Sequence, residues 1–218
     1  ELCPRVATIV QNVNPRSTSA VLGYKEKILY GKGYIEDSLC GVKFQISASS
    51  FYQINPKQTE ILYQTAIRAA QLDGSQSVLD AYCGVGTIGL VAAGQAKSVL
   101  GVEVNKSAVK CAVENARKNG ITNARFLCAD ATEYMKQMAE RGERVDVVFM
   151  DPPRAGSTPE FLEAVSKMSP ERIVYISCDP KTQKRDLEIL VEKGWKVDMI
   201  QGVDLFPQTK HLESIATL

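Results

Sequence analysis

The chain has 218 residues, 44% of them hydrophobic and 23% charged, with 26 Lys and Arg against 25 Asp and Glu. That composition supports a sizeable globular core, and the near-balance of charge excludes a molecule-wide positive field that would draw the chain onto nucleic acid or an anionic membrane; any such contact must be local. The apolar runs are too short and interrupted to span a bilayer, and the opening ELCPRVATIV lacks a charged start followed by an apolar signal core, which leaves a cytoplasmic protein as the expectation.

Residues 1–48 carry glycines at 23, 31, 33 and 41 among short strand-like pieces, ATIVQNV, SAVLGY and GVKFQIS, and read as a small β-rich module. The chain opens inside such a pattern and without an initiator Met, as a piece of a longer protein would. NPKQTEILYQTAIRAAQL then reads as a helix leading into the second region, residues 49–218. There, SVLDAYC (77–83), SVLGVEV (98–104), ARFLCAD (124–130), VDVVFMD (145–151) and RIVYISC (172–178) read as buried strands, with helical patterns between them. A βαβ series of this kind predicts a mostly parallel sheet covered by helices on both faces. WKVDMIQGVDLF and HLESIATL are two further strand-like runs joined only by the turn-forming PQTK, and should pair as an antiparallel hairpin at one edge. The expected fold is therefore α/β: a Rossmann-like mixed sheet with a terminal antiparallel hairpin, plus a small β-rich N-terminal segment. One large domain with an appendage implies neither a protein partner nor an oligomer, so a monomer is expected.

The turn after the first of these strands, DAYCGVGTIGL, places Gly84, Gly86 and Gly89 in the spacing GxGxxG, and Glu103 ends the next strand. Glycines there let backbone approach a ligand, and an acid at the second strand's tip can hold the vicinal hydroxyls of a ribose. Nicotinamide and S-adenosylmethionine enzymes both use such a turn, and glycines can also serve tight strand-to-helix packing alone. Asp130, ending the third strand, stands where a carboxylate can accept an adenine amino group; DPPR (151–154), ending the fourth, has prolines that stiffen a loop at the sheet's carboxyl edge. These two features favour S-adenosylmethionine, with a solvated Asp-Pro turn as the plainer reading of the second. Asp80, Glu103, Asp130, Asp151 and Cys178 are expected to converge on one rim.

The six cysteines (3, 40, 83, 111, 128 and 178) are scattered without a CxxC pair, as reduced thiols would be. His211 is the only histidine, which argues against a His-rich metal site or a Ser-His-Asp triad, and no metal is expected. Cys40, Cys111 and Cys128 read as small apolar fillers and Cys83 as packing beneath the glycine turn. Cys178 differs: it ends a strand ahead of a helix start, with Lys181, Lys184 and Arg185 close in sequence, and both features favour thiolate over thiol. On those local grounds nucleophile and filler stand level.

SFYQIN (50–55), DAYCGVGTIGL (80–90), DPPRAG (151–156), SCDP (177–180) and FPQTKHLE (206–213), in that order, resemble the RNA 5-methyluridine (uracil-C5) methyltransferases acting on transfer or ribosomal RNA, and the resemblance runs over nearly the whole chain. It implies a class I S-adenosylmethionine-dependent fold and RNA as substrate, ribosomal ahead of transfer RNA. By the same resemblance Cys178 is the nucleophile and Glu213 the base, and Gln53, Tyr82, Glu103 and Asp151 hold S-adenosylmethionine, with Gly84 and Asp130 beside them. His211 is expected as a structural hydrogen-bonding partner, Phe51 and Tyr52 as core aromatics, and Arg154 as a candidate for RNA phosphate. Many members carry a four-cysteine iron–sulfur site upstream, which Cys3 and Cys40 cannot supply. Rival readings are an exocyclic-amine methyltransferase built on the DPPR loop, a nicotinamide-dependent oxidoreductase, and a non-catalytic RNA-binding module.

Overall fold

The computed structural model describes residues 5–17, 21–23 and 25–218. Cys3 and parts of the SAVLGY piece lie outside the described residues, and what is described of that piece, 21–23, is not strand. Strands β1 (Thr8–Val13) and β2 (Lys25–Gly31) pair antiparallel, with a register shift between Ile9 and Val10. Every residue of β2 is exposed, and Ile9 and Val13 of β1 are exposed as well. Strands β3 (Tyr34–Leu39) and β4 (Val42–Ser47) form a second hairpin. Its two-residue turn is Cys40-Gly41, with φ of 51° and 79°, the left-handed pair that matches strand twist. Cys40 is thus a turn residue that is also half-buried against the core, and its N–H donates to Glu60 Oε1 at 2.8 Å. Leu39, Phe44 and Ile46 of this hairpin enter the main hydrophobic core beside Leu62, Ala66 and Ile67 of helix α1 (Pro56–Ala70).

The remaining elements alternate as the sequence pattern predicts: β5 (Ser77–Ala81), α2 (Thr87–Ala92), β6 (Ser98–Glu103), α3 (Lys106–Lys118), β7 (Ala124–Cys128), α4 (Ala131–Glu140), β8 (Val147–Met150), α5 (Pro159–Met168), β9 (Arg172–Ser177), α6 (Pro180–Glu192), β10 (Met199–Val203) and β11 (Glu213–Thr217). Three helices begin at a proline behind a capping side chain, Asn55 for α1, Thr158 for α5 and Asp179 for α6, because proline has no N–H to leave unpaired and its φ suits a first turn.

The seven strands β5–β11 form one sheet in the order β10-β11-β9-β8-β5-β6-β7. β5 through β9 run parallel, while β11 is antiparallel to both its neighbours, β9 and β10. β8 is buried at all four positions and β5 at four of five, so these central strands read as continuous apolar runs. β7 departs from expectation: it is the sheet's edge, with Arg125, Leu127 and Cys128 exposed, so Cys128 is no apolar filler. A strand's composition resembles that of its parallel neighbours whether it sits inside the sheet or at the rim, and only the strand order tells the two apart. Core residues of α1 and α2 pack on one face of the sheet and those of α4, α5 and α6 on the other. Because β5 pairs with β6 on one side and β8 on the other, the order reverses between them, and the crevice at their carboxyl ends is where ligands bind in open sheets of this kind.

At the opposite end of the strands, Asp146 ties three of them together. Its Oδ2 accepts from Ser77 N at 2.6 Å and Ser77 Oγ at 2.7 Å, and its carbonyl accepts from the N–H of Glu171 and Arg172 at 2.8 and 3.2 Å. The Ser77 hydrogen bonds hold its carboxyl below the ordinary range. A depressed folded value contributes stability above the unfolded value of about 3.9 that is lost as pH falls through the folded one. Asp146→Asn is expected to lower unfolding free energy by about 1.5–3 kcal/mol near neutral pH, with the difference from the parent shrinking in acid below about pH 4; denaturant titrations across that range check it.

Candidate active site

The turn after β5 is built on a strained residue. Tyr82 has φ of 67°, a left-handed conformation that a bulky side chain rarely adopts. Its ring packs on Phe161 with centroids 5.4 Å apart, and its hydroxyl lies 3.4 Å from Ser157 Oγ. The three glycines divide between the two roles open to them. A Cβ on Gly86 would come 2.9 Å from the Phe126 ring, and one on Gly89 2.9 Å from Asp80 Oδ2, so both are needed for packing. A Cβ on Gly84 would meet nothing within 4 Å, so this glycine faces open space, and its N–H donates to Glu103 Oε2 at 3.1 Å. Glu103 Oε1 accepts from Asn105 N at 2.7 Å, which fixes the carboxylate at the tip of β6. Cys83 does pack beneath the turn: it is 4% exposed, and a Cβ on Gly101 would come 2.8 Å from its sulfur.

Asp80 does not reach the rim expected for it. It is 1% exposed; Oδ2 accepts from Gly89 N at 2.8 Å, while Oδ1 is buried without a hydrogen-bond partner. Burial pushes its carboxyl up to about 7. Asp130 is exposed and caps α4, Oδ1 accepting from Glu133 N at 3.0 Å.

A second group forms where β8, β9 and β11 end together. Ser214 pairs with Ser177 and Ile215 with Ile176, so one further antiparallel step sets Glu213 opposite Cys178. Glu213 is 3% exposed and Cys178 half-buried. Asp151 follows directly on β8, and burial with the neighbouring Glu213 and Asp80 carboxylates pushes it up to about 8. Burial likewise raises Glu213, against the pull of Arg154. Gln53 is also buried, on the segment ahead of α1, whereas Phe51 is 75% exposed and is not a core aromatic; Tyr52 packs against the core, near Phe44.

The electrostatics of Cys178 correct the sequence reading. Burial raises its thiol above the ordinary value, Glu213 and Asp151 raise it further, and Arg154 opposes them. The cations at 181–185 contribute nothing resolved: Lys184 pairs with Glu188, and Arg185 turns to Asp186. The cation that matters is Arg154, from the DPPR loop, whose Nη2 lies 3.1 Å from His211 Nδ1. His211 thus does act as a hydrogen-bonding partner, although it precedes β11 rather than lying in it. That this guanidinium turns back toward His211 is not legible from the loop's sequence.

The match to known proteins extends over the same residues. A family model described as tRNA (uracil-5-)-methyltransferase matches residues 19–218. The chain belongs to this family. Among its relatives are proteins of Halalkalibacterium halodurans, 48% identical over 99% of this chain, and Enterococcus faecalis, 47% identical over all of it, both described as uncharacterized RNA methyltransferases. The chain spans about half the length of these relatives, 47% and 48%. In structure it resembles the tRNA (uracil-54, C5)-methyltransferase of Pyrococcus abyssi, solved with S-adenosyl-L-homocysteine: TM-score 0.80, 32% identity, covering 97% of this chain and 50% of that one. An S-adenosylmethionine-dependent methyltransferase from Agrobacterium tumefaciens, at TM-score 0.68 and 19% identity over 88% of this chain and 72% of that one, shares the fold. Among the described residues no helix is long and apolar enough to cross a membrane.

Asp151 should weigh on stability in this family fold. An acid whose folded value is raised to about 8 leaves the protein fully stable below the unfolded value and costs stability as pH rises through the folded one. Asp151→Asn is therefore expected to stabilise the chain by about 1–3 kcal/mol at alkaline pH and by little near about pH 4. Denaturant unfolding at the two extremes measures the gap.

Proposed function

We propose that this chain is the methyl-transferring part of an RNA (uracil-5-)-methyltransferase, which moves a methyl group from S-adenosylmethionine to carbon 5 of a uridine through a transient bond between Cys178 Sγ and carbon 6 of the ring. The observation that carries the reading is the meeting of Cys178 and Glu213 across the β9–β11 register, beside Asp151 at the end of β8, which separates them from the glycine turn after β5. Family membership supports it, as does the cofactor product named with the Pyrococcus enzyme.

The turn suits the cofactor. Gly84 leaves room for close approach, and Glu103 offers a fixed carboxylate for ribose hydroxyls. Tyr82 would lie beside the methionine portion or sugar, Asp130 at the adenine amino group with the oxygen its cap leaves free, and Gln53 and Asp151 near the methionine end and the entering uracil. When bound, S-adenosylmethionine supplies an electrophilic methyl group. Carbon 5 of uracil is a weak nucleophile toward it. Addition of the Cys178 thiolate at carbon 6 breaks the 5,6 double bond and moves its electron pair onto an enolate, which gives carbon 5 the negative character it lacked. With the methyl in place, Glu213 takes the proton from carbon 5, the double bond re-forms and the thiolate leaves. Burial raises the Glu213 carboxyl, which makes its carboxylate a stronger base toward the carbon 5 proton. A uracil in folded RNA must be swung out of its stack to reach the thiol, at a cost of a few kcal/mol.

We keep 1–48 as part of a β-rich, RNA-holding region and 49–218 as the catalytic domain. Ribosomal RNA is the substrate proposed ahead of transfer RNA, although the family description and the name of the Pyrococcus enzyme both specify tRNA. A cytoplasmic monomer completes the reading. Cys178→Ala is expected to abolish methyl transfer, by at least about a thousandfold, while S-adenosylhomocysteine still binds in calorimetry. RNA carrying 5-fluorouracil should trap an adduct at Cys178, since fluorine cannot leave as a proton does. The protein used must include the remainder of the full-length chain, with ribosomal and transfer RNA in parallel. Undiminished transfer by the Ala variant would instead favour an exocyclic-amine methyltransferase.

A further inference from the structure

The loop that carries Arg154 is held almost entirely by one helix. Between Arg154 and Ser157, four backbone groups are bonded by side chains of α6. Thr182 Oγ1 donates to Arg154 O at 3.1 Å, and Arg185 Nη2 donates to Ala155 O at 2.9 Å and Ser157 O at 3.3 Å. Asp186 Oδ2 accepts from Ser157 N at 2.7 Å. Asp186 is completely buried; the same Oδ2 accepts the Tyr175 hydroxyl at 2.7 Å, and Oδ1 takes a forked pair from Arg185 Nε and Nη2 at 2.9 and 2.6 Å. Gly156 has φ of 77°, and a Cβ there would come 2.5 Å from Arg185 Nη2 and 2.6 Å from Asp186 Oδ2, so loop and clamp are fitted to each other.

Asp186 is a buried carboxylate whose oxygens are taken up by the half-exposed Arg185, by Tyr175 and by this loop, and a buried charge so fully hydrogen-bonded fixes geometry more than it adds stability. α6 opens two residues after Cys178, so the helix that fixes the loop also fixes the thiol. Ser157, the loop's last clamped residue, extends the linkage through its hydroxyl to Tyr82 on the glycine turn.

We propose that Thr182, Arg185 and Asp186 of α6 are positioning residues: they clamp the loop at 154–157 so that the Arg154 guanidinium is held beside His211, Cys178 and Glu213. None of the three touches the reacting atoms; all act through Arg154. The inference rests on the proposed roles of Cys178 and Glu213 for its purpose, but not for its test, which needs neither RNA nor methyl donor.

The test is the pH profile of Cys178 alkylation by iodoacetamide, followed on its own peptide by mass spectrometry because Cys128 is also exposed. Arg154→Gln sets the scale by removing the cation outright. Arg185→Ala is expected to move the midpoint upward by about half a unit or more, which is roughly a threefold slower reaction at a fixed pH below it. Arg185→Lys, keeping charge beside Asp186 but not the fork, should fall between. Thr182→Val, which removes one hydroxyl without leaving a buried charge unpaired, should shift the midpoint in the same direction and decides the question if Arg185→Ala does not fold. In an Arg154→Gln background neither change should shift it further, since residues acting through one partner do not add. An unmoved midpoint in folded variants, or an equal shift in the Arg154→Gln background, overturns the proposal. Loss of the thiol assignment itself would instead appear as methyl transfer surviving Cys178→Ala, a separate result.

Discussion

Ser214 stands across from Ser177, and that alignment decides which groups share the corner of the sheet. Side chains along a strand alternate between faces, so a slip of one residue between β9 and β11 would bring a different side chain opposite Cys178 and turn every residue of β11 to the wrong face. All five residues of β11 are buried, and Ile215 and Ala216 pack in the cores on opposite sides of the sheet. The hydrophobic effect on both faces therefore enforces the register, and the chemistry at the strand's end inherits its precision from residues with no part in it. Gln183 reinforces this from α6, its amide nitrogen bonding Tyr175 O at 3.0 Å and its oxygen accepting from Ser214 Oγ at 2.6 Å.

The corner so formed is electrostatically unbalanced. Asp80, Asp151 and Glu213 are all held above the ordinary carboxylate range by burial, and the negative charge of Glu213 and Asp151 raises Cys178 as well. Such a site at rest favours protonated groups, and a positively charged ligand would relieve it. Arg154 is the internal counterweight, lowering both the thiol and Glu213. Cys178 and Glu213, the proposed nucleophile and base, are thus tuned by the same cation.

Much of the plan was legible in the chain. Central strands such as VVFM in β8 are continuous apolar runs because both of their faces are covered, and the terminal pair betrayed itself by a turn where a helix would otherwise be needed. Gly84, Glu103 and Cys178 fell where βαβ spacing puts them. Other features lay beyond local pattern. Asp80 looked like a rim residue but lies one step deeper than the turn, beneath Gly89. ARFLC reads as a buried strand, yet β7 is outermost. Arg185 and Asp186 spell an ordinary charged helix face; nothing in the spacing shows that Gly156, far back along the chain, leaves room for Asp186 to be buried and for Arg185 to fold over the loop. Sequence fixes the neighbours along a strand or helix, whereas these contacts are set by which elements lie side by side.

The β1–β2 hairpin has a bearing on handling. A two-stranded ribbon is marginal in water by itself, and this one leaves Ile28, Leu29 and Tyr30 more than half exposed and Ile9 and Val13 nearly half. Its outer edges also present unpaired peptide groups. Exposed apolar side chains on such a ribbon favour self-association at concentration, independently of how stably the seven-stranded sheet and its helices fold. Colloidal behaviour and folding stability are therefore separate properties of the molecule, located in different parts of it.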